Sequence, residues 1–257
     1  MSEKNHDAKR TARQRLAVER EKQKASDRRR RTLIVAASVV CVLGLATVIG
    51  VLAANSGKSK SRGAGPVVVP SGAQGKDSLA IPVGKDGART TLTVWEDFRC
   101  PACQAFESTY RSTLHQLTGS GKLRIEYHLV RLIDDNLGGT GSLRSANAAA
   151  CAQDAGRFSG FHDVLYDNQP KETDDAFADN GKLIQLAGKV NGLDTPAFRK
   201  CVESGTHDGW VDKSNKAFQA GGFSGTPTVL LNGKNIAQDR TMTPAKLKQM
   251  VEGAGKG

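Results

Sequence analysis

The sequence has one Cys-x-x-Cys motif and no second, no internal repeat, and five histidines that show no ligand spacing. A structural zinc site usually takes four ligands from Cys and His. With Cys151 and Cys201 isolated and His6, His115, His128, His162 and His207 scattered, no metal is expected, and each histidine reads as a surface or satisfied-core residue. Residues 1–31 are nearly devoid of large apolar side chains. They cannot bury enough surface to offset the entropy of ordering themselves, so this tail is expected to be disordered or transiently helical.

A third absence is charge. Leu33 to Ala54 run LIVAASVVCVLGLATVIGVLAA without one charged residue, which as a helix would extend about 33 Å, enough to span a bilayer. Both the basic stretch and the apolar run exceed those of a cleaved signal peptide. Residues 32–54 are therefore read as an uncleaved transmembrane signal anchor, although Val51-Leu52-Ala53 is a weak cleavage-like pattern. Arg28 to Arg31 abut the span on one side and only Lys58, Lys60 and Arg62 follow on the other. The positive-inside rule then gives a single-pass cell-membrane protein with a cytoplasmic N-terminus and an extracytoplasmic domain. Ala46 and Gly50 form a small-xxx-small pair, common in such helices, and a monomer is expected.

The net charge of +11 resembles a nucleic-acid or membrane-surface signal. By direct count about +7 of it lies in residues 1–31, which assigns it to topology, and no nucleic acid is expected as a partner. Cys41 falls inside the apolar run and reads as a small filler. The four remaining cysteines are even in number and would lie in an oxidising compartment.

Residues 55–75 are rich in Gly, Ser and Pro and read as a flexible linker, leaving a folded domain at 76–257. Strand patterns in SLAIPVG and TLTVWEDF lead into the cysteine pair, and a helix is predicted from Pro101 through Leu117 on the spacing of Ala105, Tyr110, Leu114 and Leu117. A strand over Lys122 to Ile133 follows, completing a strand–helix–strand unit. Helical patterns then dominate an insertion at about 138–220. TPTVLLNGKNIAQ turns at Asn232-Gly233, a dipeptide favoured in two-residue hairpins. A last helix starts at Thr243 as N-cap with Pro244 behind it.

Cys100 would sit at the N-terminus of the first helix, where free N–H groups and the macrodipole favour a thiolate. Cys103 shares its face. The pair can close a small disulfide in which Cys100 is the attacked sulfur and Cys103 the resolving one.

A Cys-x-x-Cys at a strand-to-helix junction, followed after a helical insertion by GTPTVLLNG, a hairpin and a final helix, resembles the thioredoxin fold. The insertion and the WEDFRCPAC context look like the membrane-anchored members of the DsbA-like thiol:disulfide oxidoreductases. That resemblance implies an α/β fold over about 76–257, Pro227 in cis beside the cysteines, and backbone groups of Thr226 offered to an extended substrate. It implies no cofactor. The substrates would be unfolded or partly folded exported proteins with cysteines, and the couple would be restored by a membrane quinone-linked partner of the DsbB or vitamin K epoxide reductase type. Pro101 suits the first turn of the helix. Phe98, Phe106 and Phe223 lie near the two motifs and are candidates for an apolar rim, with core packing as the alternative. Many relatives carry a buried acid at the position of Val94; here Glu96 is the candidate for moving the proton of Cys103, with a solvated strand-end carboxylate as the alternative. Adjacency pairs Cys100 with Cys103, so Cys151 and Cys201 are expected to form a structural disulfide within the insertion, and a second relaying redox pair stays open. Two rival functions remain: a reductase or isomerase using the same residues, and a non-enzymatic chaperone-like module.

Overall fold

The computed structural model describes residues 65–237, 239 and 241–254. The tail at 1–31, the anchor at 32–54 and the linker up to residue 64 lie outside the described residues. Among the described residues no helix is long and apolar enough to cross a membrane.

Strands β1 (Ile81–Val83), β2 (Thr90–Glu96), β3 (Leu123–Leu129), β4 (Thr228–Leu231) and β5 (Lys234–Asn235) form one sheet in the order β1-β3-β2-β4-β5. Central β2 pairs in parallel with β3 and antiparallel with β4, setting Val94 between Tyr127 and Val229. The β2–β3 crossover is helix α1 (Pro101–Gly119), as parallel neighbours require a long connection. The Asn232-Gly233 turn has positive φ at both residues, 48° and 81°, and Asn232 Oδ1 also accepts the Thr91 N–H at 2.9 Å, tying the hairpin to β2.

The insertion is helical: α2 (Leu132–Leu137), α3 (Gly141–Asp154), α4 (Phe158–Asp167), α5 (Asn180–Ala187), α6 (Pro196–Ser204) and α7 (Asp208–Ala220). Its centre is α3, whose run Ala146–Ala152 is wholly buried because small side chains let the five other helices of the insertion approach closely. Helix α6 is capped by Thr195, whose hydroxyl accepts the Phe198 N–H, and is ended by Gly205 in the left-handed region. Trp210, 0% exposed, packs in the core and donates its indole N–H to the Ser78 carbonyl at 2.8 Å. Helix α8 (Pro244–Ala254) closes the fold, with the Thr243 hydroxyl accepting the Lys246 N–H.

Three local expectations differ from what is observed. The strand expected over Lys122–Ile133 stops at Leu129, and Leu132–Leu137 is helical; the Asp97 carboxylate accepts the Ile133 N–H at 2.9 Å in the first turn of α2. Ala105 is exposed, and the buried face of α1 instead carries Cys103, Glu107, Leu114 and Leu117. The linker expected to run to residue 75 is docked on the domain from residue 65. The Ser71 N–H donates to Asp154, Gln153 donates to the Ser71 carbonyl, Gln74 bridges to Ala80, and a Cβ on Gly209 would lie 2.5 Å from the Gly65 carbonyl oxygen. Gly, Ser and Pro here supply turns against a surface rather than freedom.

Candidate functional site

Strand β2 ends at Glu96, and four residues later Cys100 is the N-cap of α1, with exposed Pro101 at the first helical position where its missing N–H costs nothing. Cys100 and Cys103 are in the dithiol form. The Cys100 thiol donates to the Thr226 carbonyl at 3.3 Å, and the Thr226–Pro227 peptide is cis. These contacts join the two ends of the chain's α/β half at one point.

The two sulfurs are in opposite states. A hydrogen bond from the Cys103 thiol, assisted by the Thr226 side chain and by the backbone N–H groups of Cys103 and Ala102, outweighs burial and lowers Cys100 from 9.0 to about 6. Cys103 is 0% exposed; burial first, and then the neighbouring Cys100 and Glu96, push its thiol well above 9.0.

Beneath Cys103 lies an acid–base cluster that sequence reading caught only in part. Glu96 is 1% exposed, not a solvated strand end, and its Oε1 lies 2.8 Å from His162 Nε2 on α4. Glu107, one turn after Cys103 on α1, joins them: one ligating atom from each of Glu96, Glu107 and His162 lies within 4.8 Å of the others. Glu96 Oε2 and Glu107 Oε1 are buried with no hydrogen-bond partner. Burial pushes Glu107 up to about 8, despite the attraction of His162. Burial is the largest influence on His162 and opposes its charge, but the charge of Glu96 and hydrogen bonds to Asp163 and Glu96 together outweigh it and raise the ring to about 10. At neutral pH, Glu107 therefore holds a proton and His162 is an imidazolium.

The loop entering Cys100 is fastened from behind. Asp97, 0% exposed, accepts the Arg99 N–H at 2.8 Å, and burial pushes it up to about 7. The buried Arg99 guanidinium reaches Asp134 at 2.6 Å, Asp175 at 2.9 Å and the Gly138 and Glu172 carbonyls. Gln169 donates to the Phe98 carbonyl at 2.9 Å and the Cys100 carbonyl at 3.0 Å. Nothing in the sequence marked Gln169 or Arg99. Glu107 carried a signal, an acid four residues after Cys103 in line with Leu114, and His162 sat on a strongly apolar helix.

Of the three phenylalanines proposed for a rim, Phe98 is 1% exposed and packs on Tyr166 and His162, so it belongs to the core. Phe223 is half-buried against Trp95 and Phe218. Phe106 stacks on Tyr110, and both line a groove of about 410 Å³ together with Ala102, Pro227, Val229 and Met242. This groove opens beside the cysteine pair. Away from it, Cys151 and Cys201 form a disulfide, S–S 2.02 Å, linking α3 to α6.

A thioredoxin family model matches residues 77–253. "Probable disulfide bond formation protein D" of Bacillus cereus is 29% identical over 158 residues, 60% of this chain and 70% of that protein. Serine/threonine-protein kinase PknE of Mycobacterium tuberculosis is 29% identical over 157 residues, 57% of this chain but only 27% of the kinase. Among solved structures, reduced DsbA of Mycobacterium tuberculosis superposes with a TM-score of 0.60 at 28% identity, covering 70% of this chain and 93% of that one. The reduced disulfide bond oxidoreductase DsbG of the same species gives 0.61 at 29%, covering 72% and 90%.

Proposed function

The chain belongs to the thioredoxin family, among its DsbA-like thiol:disulfide oxidoreductases, and from that premise we propose that Cys100 and Cys103 pass disulfides to exported proteins in two exchanges. In the first, a substrate thiolate attacks Cys100 Sγ of the oxidised pair. A substrate–Cys100 bond forms, the Cys100–Cys103 bond breaks, and Cys103 leaves and takes up a proton. In the second, another substrate thiolate attacks the substrate sulfur of the mixed disulfide, and Cys100 leaves as a thiolate with both electrons. The substrate has lost two electrons and the pair has gained them.

The observation that carries this direction is the lowered pKa of Cys100. At about 6 it is roughly nine-tenths thiolate at pH 7, against about one part in a hundred at 9.0. Stabilising the thiolate stabilises the reduced pair, which makes the couple more oxidising by about 30 mV at pH 7. The same feature makes Cys100 the better leaving group in the second exchange.

Cys103 is released as a thiolate in a buried place, so its proton must come from nearby. Glu107 holds one at neutral pH, Glu96 and His162 share the cluster with it, and we assign the proton transfer to these three rather than to Glu96 alone. The groove between Phe106, Tyr110, Pro227 and Met242 suits an apolar segment of an unfolded substrate, and the Thr226 backbone suits its extended main chain. The uncharged run at 33–54 and the flanking arginines support a membrane anchor with the domain outside the cytoplasm, which is where a quinone-linked membrane partner would reoxidise the pair.

Cys103→Ser is the direct test, because the Cys100 thiolate can still attack a substrate disulfide to form a mixed disulfide, while no Cys103 thiol remains to expel the substrate by reforming the Cys100–Cys103 bond. In cells, exported cysteine-containing proteins are expected to accumulate attached through Cys100 and to be absent with Cys100→Ser. Recovery of only cytoplasmic proteins would overturn the export side, and full activity of Cys100→Ser would overturn the chemistry.

A further inference from the structure

Side chains far apart in sequence converge where α3, α6 and α7 meet. One sulfur each from Cys151 and Cys201 and one ring nitrogen of His207 lie within 4.8 Å of one another. Cys151 and His207 are buried and Cys201 is half-buried. His207 is the N-cap of α7, and its backbone N–H is held by the Asn147 side-chain oxygen at 2.8 Å. Its ring is held twice, Nδ1 by the Val68 carbonyl at 2.8 Å and Nε2 by Asp154 Oδ2 at 2.9 Å. Asp154 lies three residues beyond Cys151 on α3.

We propose that the dithiol form of this cluster is a zinc site, with Cys151, Cys201 and His207 as ligands. Two thiolates and an imidazole form a donor set that zinc favours over the hard divalent cations. The chain leaves synthesis with both thiols free, so this form precedes the disulfide and needs no reductant. On binding, Zn²⁺ replaces the two thiol protons and the proton in the hydrogen bond of the ligating ring nitrogen, and all three pass to solvent; two Zn–S bonds and one Zn–N bond form, and no electrons move. The sulfurs must separate from bonding distance, which the loss of the S–S bond permits. The imidazole gives up one of its two hydrogen bonds and keeps the other. A metal-bound histidine commonly has its second nitrogen held in this way by a carboxylate or a backbone carbonyl. Asp154 or a water completes the tetrahedron.

When the pair is oxidised, an acceptor disulfide takes two electrons and becomes a dithiol, the Cys151–Cys201 bond forms and the ion leaves. Zinc and the disulfide are then alternative staples for the same three helices. The ion also keeps these two thiols from pairing with Cys100 or Cys103 before the domain is complete.

The test uses the full chain in detergent with Cys41→Ser, Cys100→Ser and Cys103→Ser, so that only this pair can bind. The protein is reduced with a phosphine, freed of it without air, and titrated with Zn²⁺ against a chromogenic chelator. One equivalent is expected to bind to the reduced chain and none to the oxidised one. Co²⁺ in its place is expected to give a thiolate charge-transfer band and the strong visible bands of a tetrahedral site, both lost on oxidation. His207→Ala, checked for folding in the oxidised form, is expected to weaken Zn²⁺ by about tenfold or more. Failure of the reduced chain to take up one equivalent, equal uptake by the oxidised chain, or an unchanged affinity in His207→Ala would overturn the assignment.

Discussion

The Cys103 thiol is the largest contributor to the low pKa of Cys100, which makes its removal informative. In Cys103→Ala the donated hydrogen bond disappears, while Thr226 and the N–H groups of the first turn of α1 remain. The Cys100 midpoint is expected to rise from about 6 by about 1 unit or more, without reaching the ordinary value. Cys103→Ser keeps a donor and should stay closer to 6. At pH 7 a midpoint of about 8 leaves only one thiolate in ten or so. A single alkylation rate would nevertheless mislead, because thiolate nucleophilicity rises with pKa, with a Brønsted slope of about 0.4–0.5 that offsets much of the lost thiolate. The assay is therefore alkylation measured from pH 4 to 10, read for its midpoint and its plateau. Cys103→Ala should show a later midpoint and a higher plateau than the unsubstituted protein. An unchanged midpoint near 6 in the Ala variant would refute the reasoning and assign the stabilisation to the helix terminus alone.

Other substitutions separate the remaining parts. Glu107 has a folded-state pKa raised above its unfolded value, so its contribution to stability is present below about 4.5 and is lost as pH rises through about 8. Glu107→Gln should flatten the fall in denaturant stability between about pH 4.5 and 8 and remove an inflection near 8 from the rate at which Cys103 is consumed; an unaltered pH profile would count against the cluster. Replacing Cys151 and Cys201 by Ala removes a cross-link across 50 residues, which the chain-entropy model values at about 4 kcal/mol, while exchange at Cys100 should persist in the folded fraction. Unchanged denaturant stability would show that the link stabilises nothing. Gly209→Ala would set a Cβ 2.5 Å and 2.7 Å from the Gly65 and Pro66 carbonyl oxygens, so limited proteolysis between 65 and 75 should quicken at unchanged alkylation of Cys100. Equal protection would mean that the segment is held elsewhere.

Much of the α/β half was legible because it is written in strong local signals. Asn232-Gly233 makes a turn on its own, Pro101 and Thr243-Pro244 mark helix starts, and alternation over Thr90–Glu96 marks a strand. The redox pair was legible for the same reason, being four consecutive residues. The buried groups were not. Periodicity selects apolar residues for the inward face, so Ala105 was chosen and Glu107 overlooked, although Glu107 lies in register with Cys103 and Leu114. Phe98 was open to a rim or a core reading because it neighbours Cys100; strand alternation ends at Glu96 and the loop turns its ring into the core. Residues 65–75 have a linker's composition, and only the partners waiting for them, His207, Asp154 and Gly209, make them part of the domain. His207 and Cys201 illustrate the limit most plainly, since their meeting with Cys151 depends on three helices separated by dozens of residues.

The reduction potential of the Cys100–Cys103 couple tests the central claim most directly. The full chain, equilibrated in glutathione buffers and scored by trapping free thiols, is expected to titrate on the oxidising side of thioredoxin, displaced from −270 mV toward the −120 mV of a strong disulfide donor. A value near −270 mV, that of a thioredoxin reductant, would contradict the account and reverse the electrons.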